Sequence, residues 1–262
     1  MIFLYFILIG LLAGVLSGLL GIGGGVVIIP CLVVLFQKLN FPPSLIVHLA
    51  MATSLASIVF TSAATSFYQY KRNAIQWPIW KKLLPGMLIG VSLGVFISDA
   101  MHGQALQQGF SILLLLIAIR MSIGKIQGPF QSVSLNVYLV CGLVVGILSG
   151  MFGLGGGVLL VPVLQYFLVP ITLATATSSA CLWPTVVVGS ILQVLLGLDA
   201  AGLPEHTWGY VYWPAAVSIG LASMLSAKFS VHLAHTLHKQ WLERLFAVML
   251  ILVSLKMWTA VV

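Results

Sequence analysis

Residues 10–30 read GLLAGVLSGLLGIGGGVVIIP, and residues 142–162 read GLVVGILSGMFGLGGGVLLVP. At an offset of 132 the two stretches share 12 of 21 residues, and every mismatch exchanges one apolar residue for another. A glycine pattern this long does not recur by chance. The chain is an internal duplication, and its function is expected where the two copies meet.

The duplication extends outward. Leu49–Ser54 (LAMATS) matches Leu173–Ser178 (LATATS) at an offset of 124, and 102–121 matches 238–257 at an offset of 136. The polar, Gly/Pro-containing stretch 124–134 reads as the linker between repeats at 1–123 and 135–262. Each repeat is expected to hold five helical segments, at 2–21, 24–37, 44–70, 79–99 and 104–122, then 135–153, 156–169, 172–198, 210–230 and 238–259. Segments 24–37 and 156–169 are too short for a full crossing at 1.5 Å per residue and read as half-helices.

Composition fixes the solvent. Of 262 residues, 61% are hydrophobic and 6% charged, against the ~25% charged residues of a soluble domain. The long apolar runs are continuous rather than alternating, which excludes a β-barrel and makes the fold all-α, a polytopic helical membrane protein in a lipid bilayer. The net charge of +7 then reflects basic loops, not nucleic-acid binding. The N-terminal run lacks a Lys/Arg n-region and contains the repeat motif, so it reads as a span rather than a cleaved signal.

Charge placement orients the copies. Lys71, Arg72, Lys81 and Lys82 crowd one loop, whose counterpart (197–213) has no Lys or Arg but carries Asp199 and Glu205. The next loop reverses the bias: 99–104 lacks Lys and Arg, while its counterpart holds Lys228, Lys239 and Arg244. Equivalent loops therefore face opposite sides, as in inverted-topology repeats, with Lys38 and Lys256 as exceptions.

The motif has chemistry of its own. Gly21, Gly23, Gly24 and Gly25, and likewise Gly153, Gly155, Gly156 and Gly157, place four glycines in five positions ahead of a half-helix. Glycine there disfavours helix and permits positive φ. An unwound turn followed by a helix start offers free N–H groups and a positive dipole end, which hold an anion without a basic side chain. Gly10, Gly14, Gly18, Gly142, Gly146 and Gly150, with Gly86, Gly90 and Gly94, have the four-residue spacing of close helix packing instead. The pairs Thr53–Ser54 and Thr177–Ser178 could donate to an oxyanion or bond back to their own helices.

What is missing narrows the class. Asp99, Asp199, Glu205 and Glu243 all lie near segment ends, so no mid-span carboxylate is expected to relay protons. Cys31, Cys141 and Cys181 read as isolated core cysteines, and His232, His235 and His238 as a loop rather than a metal site. No Walker, nucleophile-elbow or Cys-x-x-Cys motif is present, so neither an enzyme nor a cofactor is expected.

The duplicated Gly motif, followed in each half by an A-T-S segment, resembles the sulfite exporter TauE/SafE family, also called the TSUP transporters. That resemblance covers essentially the whole chain. It implies an inner-membrane secondary carrier for small sulfur-containing anions, mostly in export. It passes the candidate site to Gly21–Gly25 with Thr53 and Ser54, and to Gly153–Gly157 with Thr177 and Ser178. The partner expected is a small anionic substrate, in a monomer or a homo-oligomer. An anion channel and a non-transporting scaffold stand as alternatives.

Overall fold

A computed structural model describes residues 2–20, 23–122, 134–233, 250–255 and 257–258. Among the described residues nine helices are delimited: α1 (Ile2–Leu20), α2 (Gly25–Lys38), α3 (Pro43–Lys71), α4 (Trp77–Ala100), α5 (Gly103–Ser122), α6 (Leu135–Phe152), α7 (Gly157–Tyr166), α8 (Ile171–Gly197) and α9 (Trp213–Leu233). Residues 250–255 are helical as well. The helical form follows from the solvent, since in hydrocarbon each backbone N–H and C=O must be paired within the segment. Local punctuation agrees. Pro43 opens α3, where an unpaired N–H would be lost anyway, and Asn40 and Asn73 take positive φ just beyond α2 and α3.

Five of these helices are long and apolar enough to cross a membrane: α1, α3, α4, α6 and α8. With the exposed belt of Phe3, Leu12, Phe96, Leu116, Val140 and Leu195, they make this a multi-pass membrane protein. Helix α3 is the inner one. Of its most apolar window 78% is buried, against 39–44% for the other four. Helices α2 (14 residues) and α7 (10 residues) are the short ones expected after the glycine breaks.

The halves interlock. Helix α1 packs along α9 and α6 along α4, while α3 touches α9 and α8, and α8 touches α4. Exchanging each helix for its counterpart (α1 for α6, α3 for α8, α4 for α9) maps this set of pairs onto itself. The match holds at single residues. A Cβ on Gly142 would stand 2.5 Å from the Leu83 carbonyl, and one on Gly10 would stand 2.5 Å from the Ile219 carbonyl, 136 residues on. Gly146 faces Met87 and Gly90, and Gly14 faces Ser223 and Ser226. All nine glycines of the four-residue pattern lie against another helix's backbone or small side chains, as the packing reading requires. Along both seams the paired helices run in the same direction.

One segment differs from expectation. The helix expected at 210–230 begins at Trp213, because 207–212 form a small antiparallel hairpin, β1 (Thr207–Trp208) and β2 (Val211–Tyr212). His206 and Gly209 take positive φ, which breaks helix, and the β-branched and aromatic residues around them suit extended backbone. The expected linker and the helix at 238–259 fall largely outside the described residues.

Candidate functional site

Each half-helix starts from a glycine turn. Gly23 (φ 81°) and Gly24 (φ 77°) precede α2; Gly155 (φ 73°) and Gly156 (φ 88°) precede α7. Gly153 (φ 65°) closes α6 by returning its N–H to the Ser149 carbonyl. These left-handed conformations cost an L-residue roughly 1–2 kcal/mol each, which is why glycine stands there. No side chain caps either helix: the Gly24 carbonyl accepts from Val27 (3.0 Å) and the Gly156 carbonyl from Leu159 (3.1 Å). The amides of Gly25, Val26, Gly157 and Val158 precede those bonds, and all four residues are buried. Gly21 lies outside the described residues.

The two turns touch. A Cβ on Gly25 would stand 3.0 Å from the Gly153 carbonyl and 3.1 Å from the Leu154 Cα. Two apolar side chains fill what is left between them. Leu182 Cδ2 lies 3.1 Å from the Cβ position of Gly23 and 2.7 Å from that of Gly155, and Ile58 Cδ1 lies 3.0 Å from that of Gly25. Ile58 (0% exposed) and Leu182 (1%) are counterparts at the offset of 124. Gly24 and Gly156 turn away, onto Ala13 and onto Ser149 and Met87. The structure thus brings Gly23, Gly25, Gly153 and Gly155 together, with Gly24, Gly156 and Gly157 behind them as the starts of the helices.

The hydroxyl pairs are placed symmetrically too. Thr53 Oγ1 accepts the Tyr212 N–H at 3.0 Å, and Thr177 Oγ1 accepts the Gln76 N–H at 3.0 Å. Each threonine therefore holds the start of the other repeat's fourth helix, α9 or α4. Ser54 Oγ donates to the Gly153 carbonyl at 3.0 Å, tying α3 to the second glycine turn. Ser178 Oγ and Ser149 Oγ are buried and meet no hydrogen-bond partner among the described residues.

Sequence reasoning missed Ile58, Leu182 and the relation of Gln69 to Gln193. The offset of 124 would have found all three. The Gln69 carbonyl accepts from Ala74 N (3.3 Å) and the Gln193 carbonyl from Tyr210 N (3.4 Å), so the counterpart glutamines support equivalent turns. Among the described residues no group of His, Cys, Asp and Glu could hold a metal ion. A cleft of about 460 Å³ lies elsewhere, beside Trp208 and Trp213.

Comparison with known proteins agrees with this architecture. The family model for "Sulfite exporter TauE/SafE" matches residues 6–257. A "Probable membrane transporter protein" of Haemophilus influenzae is 32% identical over 255 residues, covering 96% of each chain. A protein of the same description in Methanocaldococcus jannaschii is 29% identical, covering 84% of this chain and 79% of its own. One in Bacillus subtilis is 28% identical, covering 79% and 85%. No solved structure matches.

Proposed function

We propose, for a chain that belongs to the sulfite exporter TauE/SafE family and is a membrane transporter, that it carries a small sulfur-containing oxyanion by alternating access. The single observation behind this reading is the meeting of two buried, uncapped helix starts at the contact between repeats. A helix N-terminus favours an anion by roughly 0.3–1 kcal/mol at a surface and up to about 2 kcal/mol when partly buried. Two such ends, with the Ser149 hydroxyl unpaired beside Gly156, supply donors and no fixed charge. That composition binds an anion without holding it too tightly to release.

The two repeats act as inverted copies in this reading. Its support is the running direction of the helices: α9 starts beside Thr53 of α3, α4 starts beside Thr177 of α8, and Lys71, Arg72, Lys81 and Lys82 cluster where α4 starts. Rocking one copy against the other would expose the glycine turns to each side in turn. Ile58 and Leu182 close the contact between the turns here, which favours a carrier over an open channel. Export across the inner membrane is the direction we infer from the family.

The test is uptake of radiolabelled sulfite into proteoliposomes, competed by taurine, sulfoacetate, thiosulfate, sulfate and acetate. Saturable uptake with counterflow, blocked by sulfur oxyanions alone, is expected. Uptake that does not saturate would point to a pore, and no uptake by folded protein would refute the substrate class.

A further inference from the structure

One buried titratable side chain is used neither by the glycine turns nor by the packing seams. His48, in the second turn of α3, is 8% exposed. Its Nε2 lies 3.2 Å from the Ser98 carbonyl near the end of α4. A carbonyl only accepts, so the proton of the neutral ring sits on Nε2 and the lone pair on Nδ1. Nδ1 is buried and has no hydrogen-bond partner among the described residues, and the buried Ser98 Oγ has none either. Leaving an acceptor unpaired in that way costs roughly 1–3 kcal/mol.

The same ring lies 5.6 Å from the ring of Tyr210, in the hairpin ahead of α9. Tyr210 Oη donates to Asp99 Oδ1 at 3.0 Å, and Asp99, next in the chain to Ser98, is exposed. Three elements are thus joined through one dry imidazole and one wet carboxylate. Burial first, and then the hydrogen bond to Asp99 and its charge, push the Tyr210 hydroxyl up to about 12, so the phenol remains a neutral donor.

The duplication supplies a control. Thr172 is the counterpart of His48 at the offset of 124, and Ala74 is the counterpart of Tyr210 at 136. The scaffold forms at its other end with neither an imidazole nor a phenol at these places. The pair is therefore not a requirement of the fold.

We propose that His48 Nδ1 is a proton-binding site whose occupancy latches the 203–212 hairpin onto α3 and α4. One proton leaves the aqueous phase for the Nδ1 lone pair, and no other bond is made or broken. The imidazolium then lies 5.6 Å from the Tyr210 ring, within cation–π reach, and the orphaned acceptor becomes a donor. The other titratable groups on neighbouring elements are Lys38 ending α2, His102 ahead of α5, Asp199 after α8, and Glu205, His206 and Tyr212 around the hairpin. All but the half-buried Tyr212 are exposed, so water and salt screen their charges beyond about 10 Å. The transporter reading bears only on what the latch controls.

Hydrogen exchange of the full-length protein, followed by mass spectrometry between about pH 5 and 8, tests this, since histidine changes charge in that range. After correction for intrinsic rates, the hairpin peptide of the wild type should be severalfold better protected at the acid end. In His48→Gln the difference should vanish, while His102→Gln and His206→Gln keep it. Tyr210→Phe should retain the response with a displaced midpoint, which also guards against a His48 variant that fails to fold. A pH response surviving in His48→Gln, or absent from the wild type, overturns the proposal. Sulfite exchange in proteoliposomes separates the two readings. Its absence from the wild type counts against the anion and leaves the latch to be judged on hydrogen exchange. If exchange is present, the part of its pH dependence beyond that of the sulfite–bisulfite equilibrium should disappear in His48→Gln.

Discussion

Leu182→Ala should both loosen the protein and unseal it. The Leu182 side chain is buried, and its Cδ2 is the nearest atom to the Cβ positions of Gly23 and Gly155, at 3.1 and 2.7 Å. Truncating a leucine in so closed a setting costs about 2–5 kcal/mol, the spread depending on how far the surroundings collapse. Collapse is limited here, because the flanking groups are backbone at positive φ and Val186, itself fully buried. The upper half of that range is therefore expected. Ile58→Ala should cost a similar amount on the other side of the contact. Both side chains reach the Cβ position of Gly155, so the double variant should depart from additivity by roughly 0.5–3 kcal/mol. Thermal unfolding in detergent reads the stability. Sulfite flux from loaded proteoliposomes reads the seal, with Leu182→Ala giving efflux that no longer depends on external substrate. A variant with wild-type melting and tight exchange would refute the assignment of Leu182 as the plug between the turns.

Other substitutions probe other parts of the fold. Gly146→Ala places its methyl 2.5 Å from the Met87 carbonyl and 3.0 Å from the Gly90 Cα, so α4 and α6 must separate. A loss of about 1–3 kcal/mol is expected in the unfolding midpoint. Gly202→Ala, also at positive φ but with nothing within 4 Å, should lose only the smaller cost of backbone strain. Thr177→Val strands the Gln76 N–H at the start of α4, and Thr53→Val strands that of Tyr212. Each should destabilise by roughly 1–3 kcal/mol, with Thr→Ser restoring most of it in the same melting assay. Tyr210 is raised from 10 to about 12 in the folded protein, so its contribution is whole below pH 10 and is lost as pH climbs through 12. The gap in melting temperature between wild type and Tyr210→Phe should accordingly be constant to pH 10 and close above it.

The membrane class, the half-helices and the packing glycines were legible because each rests on a local rule: apolar length, a glycine break, or small residues four apart. Helix α2 begins at Gly25 and α7 at Gly157, within a residue of where the glycines place them. The hairpin at 207–212 was not legible, since a six-residue turn region in an apolar chain has no periodicity to betray it. Nor were the partners of Thr53 and Thr177. Both threonines recur, which marked them, but what they bond is 159 residues away for Thr53 and 101 away, at Gln76, for Thr177. Sequence spacing carries no information about contacts that far apart. The roles of Ile58 and Leu182 were hidden for another reason: an apolar residue in a 61% hydrophobic chain stands out only once its counterpart is sought at the same offset.

Recurrence within a duplicated chain has two physical sources, and they separate here. Gly23, Gly24, Gly155 and Gly156 recur because their φ values, from 73° to 88°, exclude other residues, whether or not anything binds. Thr53 and Thr177 recur because each secures the backbone N–H immediately ahead of a helix from the opposite copy. Identity in both halves is thus explained by the scaffold alone. The proposed anion site rests instead on the helix-start amides, which have no side-chain cap and are buried where the copies touch. Divergence is the more selective signal of chemistry. Met87 faces Gly146 on one seam, while its counterpart Ser223 faces Gly14 on the other and bonds Thr61. His48 stands where the other half has Thr172. Both places are matched by the duplication and differ in side-chain chemistry, so the two repeats share an architecture without sharing every polar group.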